Sequence, residues 1–350
     1  MSNPEAIRAA RAENPKLRER DLAAQLGISE AALQAAYVGL GVTRIAANPD
    51  GLVPRLAAFG EVMALTRNAS VVHEKVGRYD HYQGGAHAAM VLTDDIDLRI
   101  FPQHWVHGFA VTRDTNDGPR HSLQIFDAAG DAVHKVYLRD GSDVGAWHAL
   151  VAELATHDSS QTLITTPRPA PEGARSDPAK LDILREEWAR MTDTHQFMRL
   201  TSKLGFNRLG AYRLVGQPFA QPLHITAVDT VLAEVAAAGI AIMVFVGNRG
   251  CIQIHSGPVT TLRPMGPWQN VMDPRFNLHL RTDHIAEVWL VNKPTKRGDA
   301  ISVDAFDADG QHILQIFGQR GEKTDMAELA AWNDIAGRLP PNALTMEQVG

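Results

Sequence analysis

The chain has one cysteine, Cys251, among 350 residues, which excludes an intramolecular disulfide framework and suits a reducing cytoplasm. No apolar run approaches the roughly 18 residues of a membrane-spanning helix. The start, Met1-Ser2-Asn3-Pro4-Glu5, lacks the basic segment and apolar stretch of a secretion signal. A cytoplasmic protein without a membrane span is expected. Basic charge is not in excess: a formal net charge of −6 argues against nucleic acid or an anionic membrane as the main partner. Walker loops, Gly-x-Gly-x-x-Gly fingerprints, His-Glu-x-x-His and Gly-x-Ser-x-Gly elbows are also missing, so nucleotide binding and the common hydrolase routes have no positive support.

What is present is a repeat. Phe126-Asp127-Ala128-Ala129-Gly130 returns as Phe306-Asp307-Ala308-Asp309-Gly310, and the same offset relates Asn68 to Asn248, Gly77 to Gly257, Leu98 to Leu278 and His104 to His284. A chain that is 45% hydrophobic can then fold as two similar halves, each with its own core. Residues shared by both halves belong to the scaffold, so a chemically potent residue present in only one half marks a candidate site.

Within each half, helical periodicity precedes β-rich runs. Residues from Pro4 to about Gly41 read as helices broken at Gly27, with Ser29 as a cap. Strands are expected at Ser70 to His73, Leu98 to Phe101, His107 to Thr112, Ser122 to Phe126 and Val133 to Leu138, and a helix from Trp147 to Thr156. In the second half, helices are expected from Lys180 to Leu214 and Ala227 to Ala238. Strands follow near Ile240 to Val246, Cys251 to His255, Leu278 to Arg281, Ala286 to Asn292, Ala300 to Phe306 and Ile313 to Phe317, and a helix near Asp325 to Ile335 closes the chain. Tight turns between neighbouring strands imply antiparallel sheets, hence an α+β fold with an internal duplication. Pro167, Pro169, Pro171 and Pro178 mark a linker, giving an N-terminal repeat at 1–165, a linker at 166–179 and a C-terminal repeat at 180–350.

Three motifs carry chemistry. Ala23 to Ser29 followed by Glu30 to Tyr37 resembles a DNA-reading helix-turn-helix, but Lys203 to Asn207 followed by Arg208 to Leu214 repeats the design. A paired-helix element of the repeat explains both better than DNA reading. His104 and His107 have a metal-like spacing, which a strand would send to opposite faces.

His195 is the third. Asp193 or Thr194 can cap a helix there, and the aligned stretch around Arg18 to Leu22 has no histidine. A lone histidine is ordinarily a surface or hydrogen-bonded residue; the surrounding set is what distinguishes this one. Later strands supply Lys293, Gln315, Phe317 and Arg320, the helix pair supplies Arg208, and an apolar strand supplies Met243 and Phe245. An imidazole beside an apolar cleft ringed by cations suits a flat, apolar metal complex bearing carboxylates, as haem is. By pattern alone this is one reading among several.

Longer matches narrow it. Ile254 to Val259, Gly266-Pro267-Trp268-Gln269-Asn270-Val271-Met272-Asp273-Pro274, Phe276 to Arg281, Lys293-Pro294-Thr295-Lys296 and Phe317-Gly318-Gln319-Arg320 resemble, in order and over nearly the whole chain, the hemin-degrading factor family of bacterial haem uptake. The resemblance implies haem b, as substrate or cargo, clamped between the C-terminal sheet and helices, with His195 as proximal iron ligand and catalytic centre. It further implies Arg208, Lys293, Gln315 and Arg320 as polar pocket residues, Phe245 as an apolar wall and Arg99 as a basic residue from the first half. Phe317 departs from the tyrosine found in many members and removes a hydroxyl that could hydrogen-bond near the distal face or to a propionate. His73 reads as structural or surface, with a second haem contact as the alternative.

The activity implied is oxygen- and reductant-dependent opening of the porphyrin, with release of iron. The alternative is a haem chaperone that delivers to a separate oxygenase, and a DNA-binding regulator is disfavoured by the acidic balance. Partners implied are an inner-membrane haem transporter and a haem oxygenase or electron donor. One principal haem site is expected, in the C-terminal half, because Arg320 aligns with Asp140.

Overall fold

Alternating burial along short strands joined by tight turns produces antiparallel ladders throughout the computed structural model, which describes residues 3–320 and 324–342. Two large antiparallel sheets, of eight and nine strands, are accompanied by helices, as an α+β reading requires. The Ala227–Ala238 helix and the Ala300–Phe306 strand have the expected limits. The expected Lys180 to Leu214 helical region divides into Leu181–Ala189, Gln196–Leu204 and Arg208–Val215. Gly205 ends the middle helix in the left-handed conformation, with φ of 76°, and Asn207 caps the third by accepting from the Gly210 amide at 2.9 Å.

The sequence reading missed the strands Val42–Ile45, Ala220–Leu223 and Trp268–Asp273. The expected strand limits at Phe101 and His107 leave His104 between strands, and there it ends a 3-10 turn, Pro102–His104, while His107 begins the next strand. Pro102 has no amide to give to a ladder, so the strand stops before it.

One compact unit comprises Met1–Asn68, Val72–Pro169 and Gly247–Ile254. The repeat-related asparagines meet inside it. Asn68 Nδ2 donates to the Gly247 carbonyl at 3.1 Å, and Asn248 Nδ2 donates to the Arg67 carbonyl at 2.9 Å. Each amide therefore satisfies a backbone acceptor of the other's turn, which explains why asparagine stands at both places.

The other unit comprises Ala69–Val71, Ala170–Val246 and His255–Gly350. Its strands Ala220–Leu223, Glu287–Lys293, Ala300–Phe306, His312–Gly318 and Ala241–Gly247 lie side by side in that order. One face of this sheet packs Ile242, Val244, Val303, Leu314 and Ile316 against Val228, Val231, Leu232 and Trp332 of two helices. The opposite face packs Trp289, Val291 and Phe306 against Trp188, Phe197, Leu209 and Tyr212 of the three helices between Leu181 and Val215. The sheet is therefore covered on both sides.

Gly318 is required by the first of these packings. A Cβ there would lie 2.5 Å from Cγ of Trp332, whose indole is buried and hydrogen-bonded to the Ile301 carbonyl at 3.1 Å. Gly318→Ala should destabilise the protein by about 1–3 kcal/mol through overpacking, read as a lowered urea midpoint. An unchanged midpoint would mean the indole can retreat.

Candidate functional site

Register assembles the site. Across the sheet of the second unit, Trp289 pairs with Asp304, Asp304 with Gln315, and Gln315 with Phe245; in the adjacent row Val291 pairs with Ser302, Ser302 with Phe317, and Phe317 with Met243. Partners in register share a face, so Met243, Phe245, Gln315 and Phe317 lie on the side that also carries Trp289 and Asp304. Lys293 pairs with Ala300 in the next row of that face. The Phe245 and Phe317 rings meet edge to face with centroids 5.5 Å apart.

At the centre lies Asp304, a fully buried carboxylate missing from the sequence reading. Its Oδ1 accepts from Ser302 Oγ at 2.7 Å and Gln315 Nε2 at 2.8 Å. Its Oδ2 accepts from the Tyr212 hydroxyl at 2.9 Å and Arg208 Nη1 at 3.2 Å. Lys293 Nζ donates to the Tyr212 hydroxyl at 3.2 Å and lies 4.9 Å from the centre of the Phe197 ring. Burial alone raises the Asp304 pKa, but the His312 contact and the charges of Lys293, His312 and Arg208 outweigh it and hold the carboxyl well below its ordinary range. Burial pushes Lys293 the other way, down to about 8; Asp304 opposes this shift and Arg208 adds to it.

Two cations thus face one anion in this cluster. A residual positive charge is left in low-dielectric surroundings, where it attracts an anion strongly. The first unit fills the matching positions differently. Lys135, 180 residues before Gln315, is ion-paired with Glu30 at 2.5 Å and Glu19 at 3.5 Å, and Arg113, 180 before Lys293, is also paired with Glu19. There the cations are answered by the protein's own carboxylates.

His195 stands at the start of the Gln196–Leu204 helix with its side chain 85% exposed. Asp193 Oδ1 accepts from the His195 amide at 2.8 Å and from ring Nδ1 at 2.7 Å. The hydrogen bonds from His195, backbone first and then side chain, keep the Asp193 pKa below its ordinary value. An ionised carboxylate only accepts, so Nδ1 carries a proton, and in the neutral ring the lone pair is then on Nε2, the form in which imidazole binds metals. Met198, one turn on and 58% exposed, lies 3.9 Å from Arg208 Nη2. Asp193→Ala should release Nδ1 and mix the two ring tautomers, visible in the nitrogen shifts of His195 at alkaline pH. A ring that keeps Nδ1 protonated would show that Asp193 does not select the tautomer.

Of the remaining residues singled out by sequence, Arg320 and Arg99 make their own hydrogen bonds with partners other than Asp304. Arg320 donates to backbone and threonine oxygens of the turn between Thr295 and Asp299. Arg99 belongs to the first unit, where it is ion-paired with Asp97. His73 is fully buried in the Val71–Gly77 strand, which removes the surface reading for it. The residues that sequence reasoning passed over are Asp304, Ser302, Tyr212 and His312. A signal existed for two of them: Ser302 and Asp304 put polar groups at alternate positions of an otherwise apolar strand, an anomaly that burial converts into a site.

The second unit thus carries an exposed imidazole held by Asp193, a sheet face with the Phe245 and Phe317 rings, and two cations beside a buried carboxylate. Comparison with known proteins supplies the family. The model described as the haemin-degrading HemS.ChuX domain matches residues 27–154 and again 205–339, and the chain belongs to this family. It is 40% identical over 332 residues to the hemin transport protein HemS of Yersinia enterocolitica, covering 94% of this chain and 95% of that one. Its fold matches holo-PhuS, a heme-binding protein from Pseudomonas aeruginosa, with a TM-score of 0.92 and 41% identity over 97% of this chain and all of the other. It also matches ChuS, an E. coli heme oxygenase, with a TM-score of 0.84 and 34% identity over 95% of this chain and 98% of that one.

Proposed function

We propose that this protein binds haem b in its second unit through His195 and opens the porphyrin ring, releasing iron in the cytoplasm. The observation that carries the reading is the His195 imidazole, held at Nδ1 by Asp193 and exposed at the other side of the ring. The residues fit the group: one neutral nitrogen ligand, apolar surface from Met243, Phe245 and Phe317, and the cations Arg208 and Lys293 for the propionates. Gln315, fixed by Asp304, and Phe317, which lacks a hydroxyl, give this face fewer donors than a tyrosine would. When bound, haem supplies the iron at which oxygen is activated by an electron donor; the protein supplies ligation, orientation and shielding from water.

A chaperone reading uses the same residues. It is favoured by the 85% exposure of His195, since an exposed ligand is accessible to an acceptor, and by the relative described as a hemin transport protein. An inner-membrane haem transporter would then lie upstream, and a haem oxygenase downstream. Both readings place the principal site in the C-terminal repeat at 180–350, after the linker at 166–179, with 1–165 as the companion repeat.

Incubating the haem complex with a reductant in air, with catalase present to remove free peroxide, separates them. Ring-opened product and released iron support degradation. Intact haem that leaves only for an added acceptor supports transport and overturns the enzymatic reading.

A further inference from the structure

Arg320 was expected to pair with a carboxylate of the ligand, yet its guanidinium is engaged elsewhere. Nη1 donates to the Asp299 carbonyl at 2.6 Å, and Nη2 lies 3.1 Å from the Gly298 carbonyl, 3.4 Å from that of Arg297 and 3.3 Å from Thr295 Oγ1. Four acceptors of one five-residue turn converge on one planar group, a geometry that the fixed fork of arginine suits and an ammonium does not. The turn is closed on itself as well: Thr295 Oγ1 donates to the Gly298 carbonyl at 2.6 Å, and Asn292 Nδ2 donates to Asp299 Oδ2 at 2.8 Å.

The far side of this turn touches the segment that carries His195. The Lys296 amide donates to the Thr192 carbonyl at 3.0 Å. Thr192 is itself clamped to the helix start, its amide donating to Gln196 Oε1 at 2.8 Å and its hydroxyl accepting from Gln196 Nε2 at 3.2 Å. The next residue is Asp193, whose Oδ1 holds both the amide and the ring of His195. A continuous path of hydrogen bonds and single peptide links therefore runs from Arg320 through the 295–299 turn and Thr192 to the imidazole.

We propose that Arg320 is a positioning residue for His195, bracing the 295–299 turn against which the 192–196 segment is set, rather than an anchor for the carboxylates of the ligand. The role assigned to His195 rests on the haem-binding reading above; the brace itself does not. An exposed imidazole has little packing of its own to fix it, so its aim depends on the backbone that carries it. Removing an outer support of a metal ligand ordinarily costs about 10–100-fold in affinity, and Arg320→Ala should fall in that range.

The test crosses two proteins with two ligands. Wild type and Arg320→Ala are titrated with haem and with haem dimethyl ester, and amide exchange of Lys296 and of residues 192–196 is measured in the ligand-free proteins, with a thermal melt confirming that both are folded. The brace predicts that Arg320→Ala weakens haem and its ester by similar factors, speeds exchange at Lys296 and shifts the 192–196 amides. Arg320→Lys should not restore wild-type exchange. An ester that binds the variant as tightly as wild type, or 192–196 amides that do not move, overturns the proposal. If His195 proves not to bind iron at all, the haem reading fails while the ligand-free exchange still decides whether the brace exists.

Discussion

Replacing His195 with alanine is expected to lower haem affinity by more than about 100-fold, since loss of the ligand itself should exceed the 10–100-fold typical of losing its outer support. The absorption spectrum should lose its histidine-ligated form. The fold should survive: the side chain is 85% exposed, and substitutions at such positions usually change stability by less than about 1 kcal/mol. Thermal melts and a haem titration on the same preparation check both halves of the expectation. A folded variant with an unchanged Soret band would remove His195 from the site, and with it the main chemical argument for haem. Added imidazole should restore a nitrogen-ligated spectrum in the variant, because the aromatic rows and cations remain.

Asp304→Asn is the second large effect, and it should act first on stability. The carboxylate is fully buried and faces Arg208 and, through Tyr212, Lys293. Removing the anion leaves cations in apolar surroundings without compensation, a change that costs about 3–5 kcal/mol when one partner of a buried pair is deleted. Chemical denaturation would measure it. Adding Lys293→Met to Asp304→Asn should recover part of the loss, because one stranded charge is then gone; strict additivity of the two substitutions would contradict the coupling.

The sign with pH follows from the depressed carboxyl. Asp304 contributes stability fully above its ordinary pKa of 3.8 and loses that contribution as pH falls through that value toward its lower folded one. The stability gap between wild type and Asp304→Asn should therefore be constant near neutrality and narrow progressively below about pH 4. A gap that narrows between pH 6 and 8 instead would point to Lys293, whose pKa burial lowers to about 8, as the group that controls the cluster.

The sequence exposed what depends on local order and on spacing. The short β-branched and aromatic run of Ala241–Gly247 and the polar residues at alternate positions of Ala300–Phe306 mark strands locally, and the 180-residue offset could be read without coordinates. The isolated histidine was legible for the same reason: it lies two residues after an aspartate and has no counterpart in the other half. Pro102 works the same way: it has no amide for a ladder, and the strand before it stops at Ile100.

By itself, then, the sequence determined the α+β class, the residue types of the candidate site and the family, because periodicity, turn chemistry and motif order are properties of neighbours along the chain. Tertiary structure decided which of those residues face one another. Asp304 meets Arg208 across 96 positions of sequence, and Tyr212 across 92. Strand register and helix packing fix such meetings, and no local pattern encodes them. The same holds for Arg320: sequence supplies a guanidinium, but only the fold shows that its donors are turned toward the 295–299 turn, because hydrogen-bond geometry depends on where the acceptors stand in space.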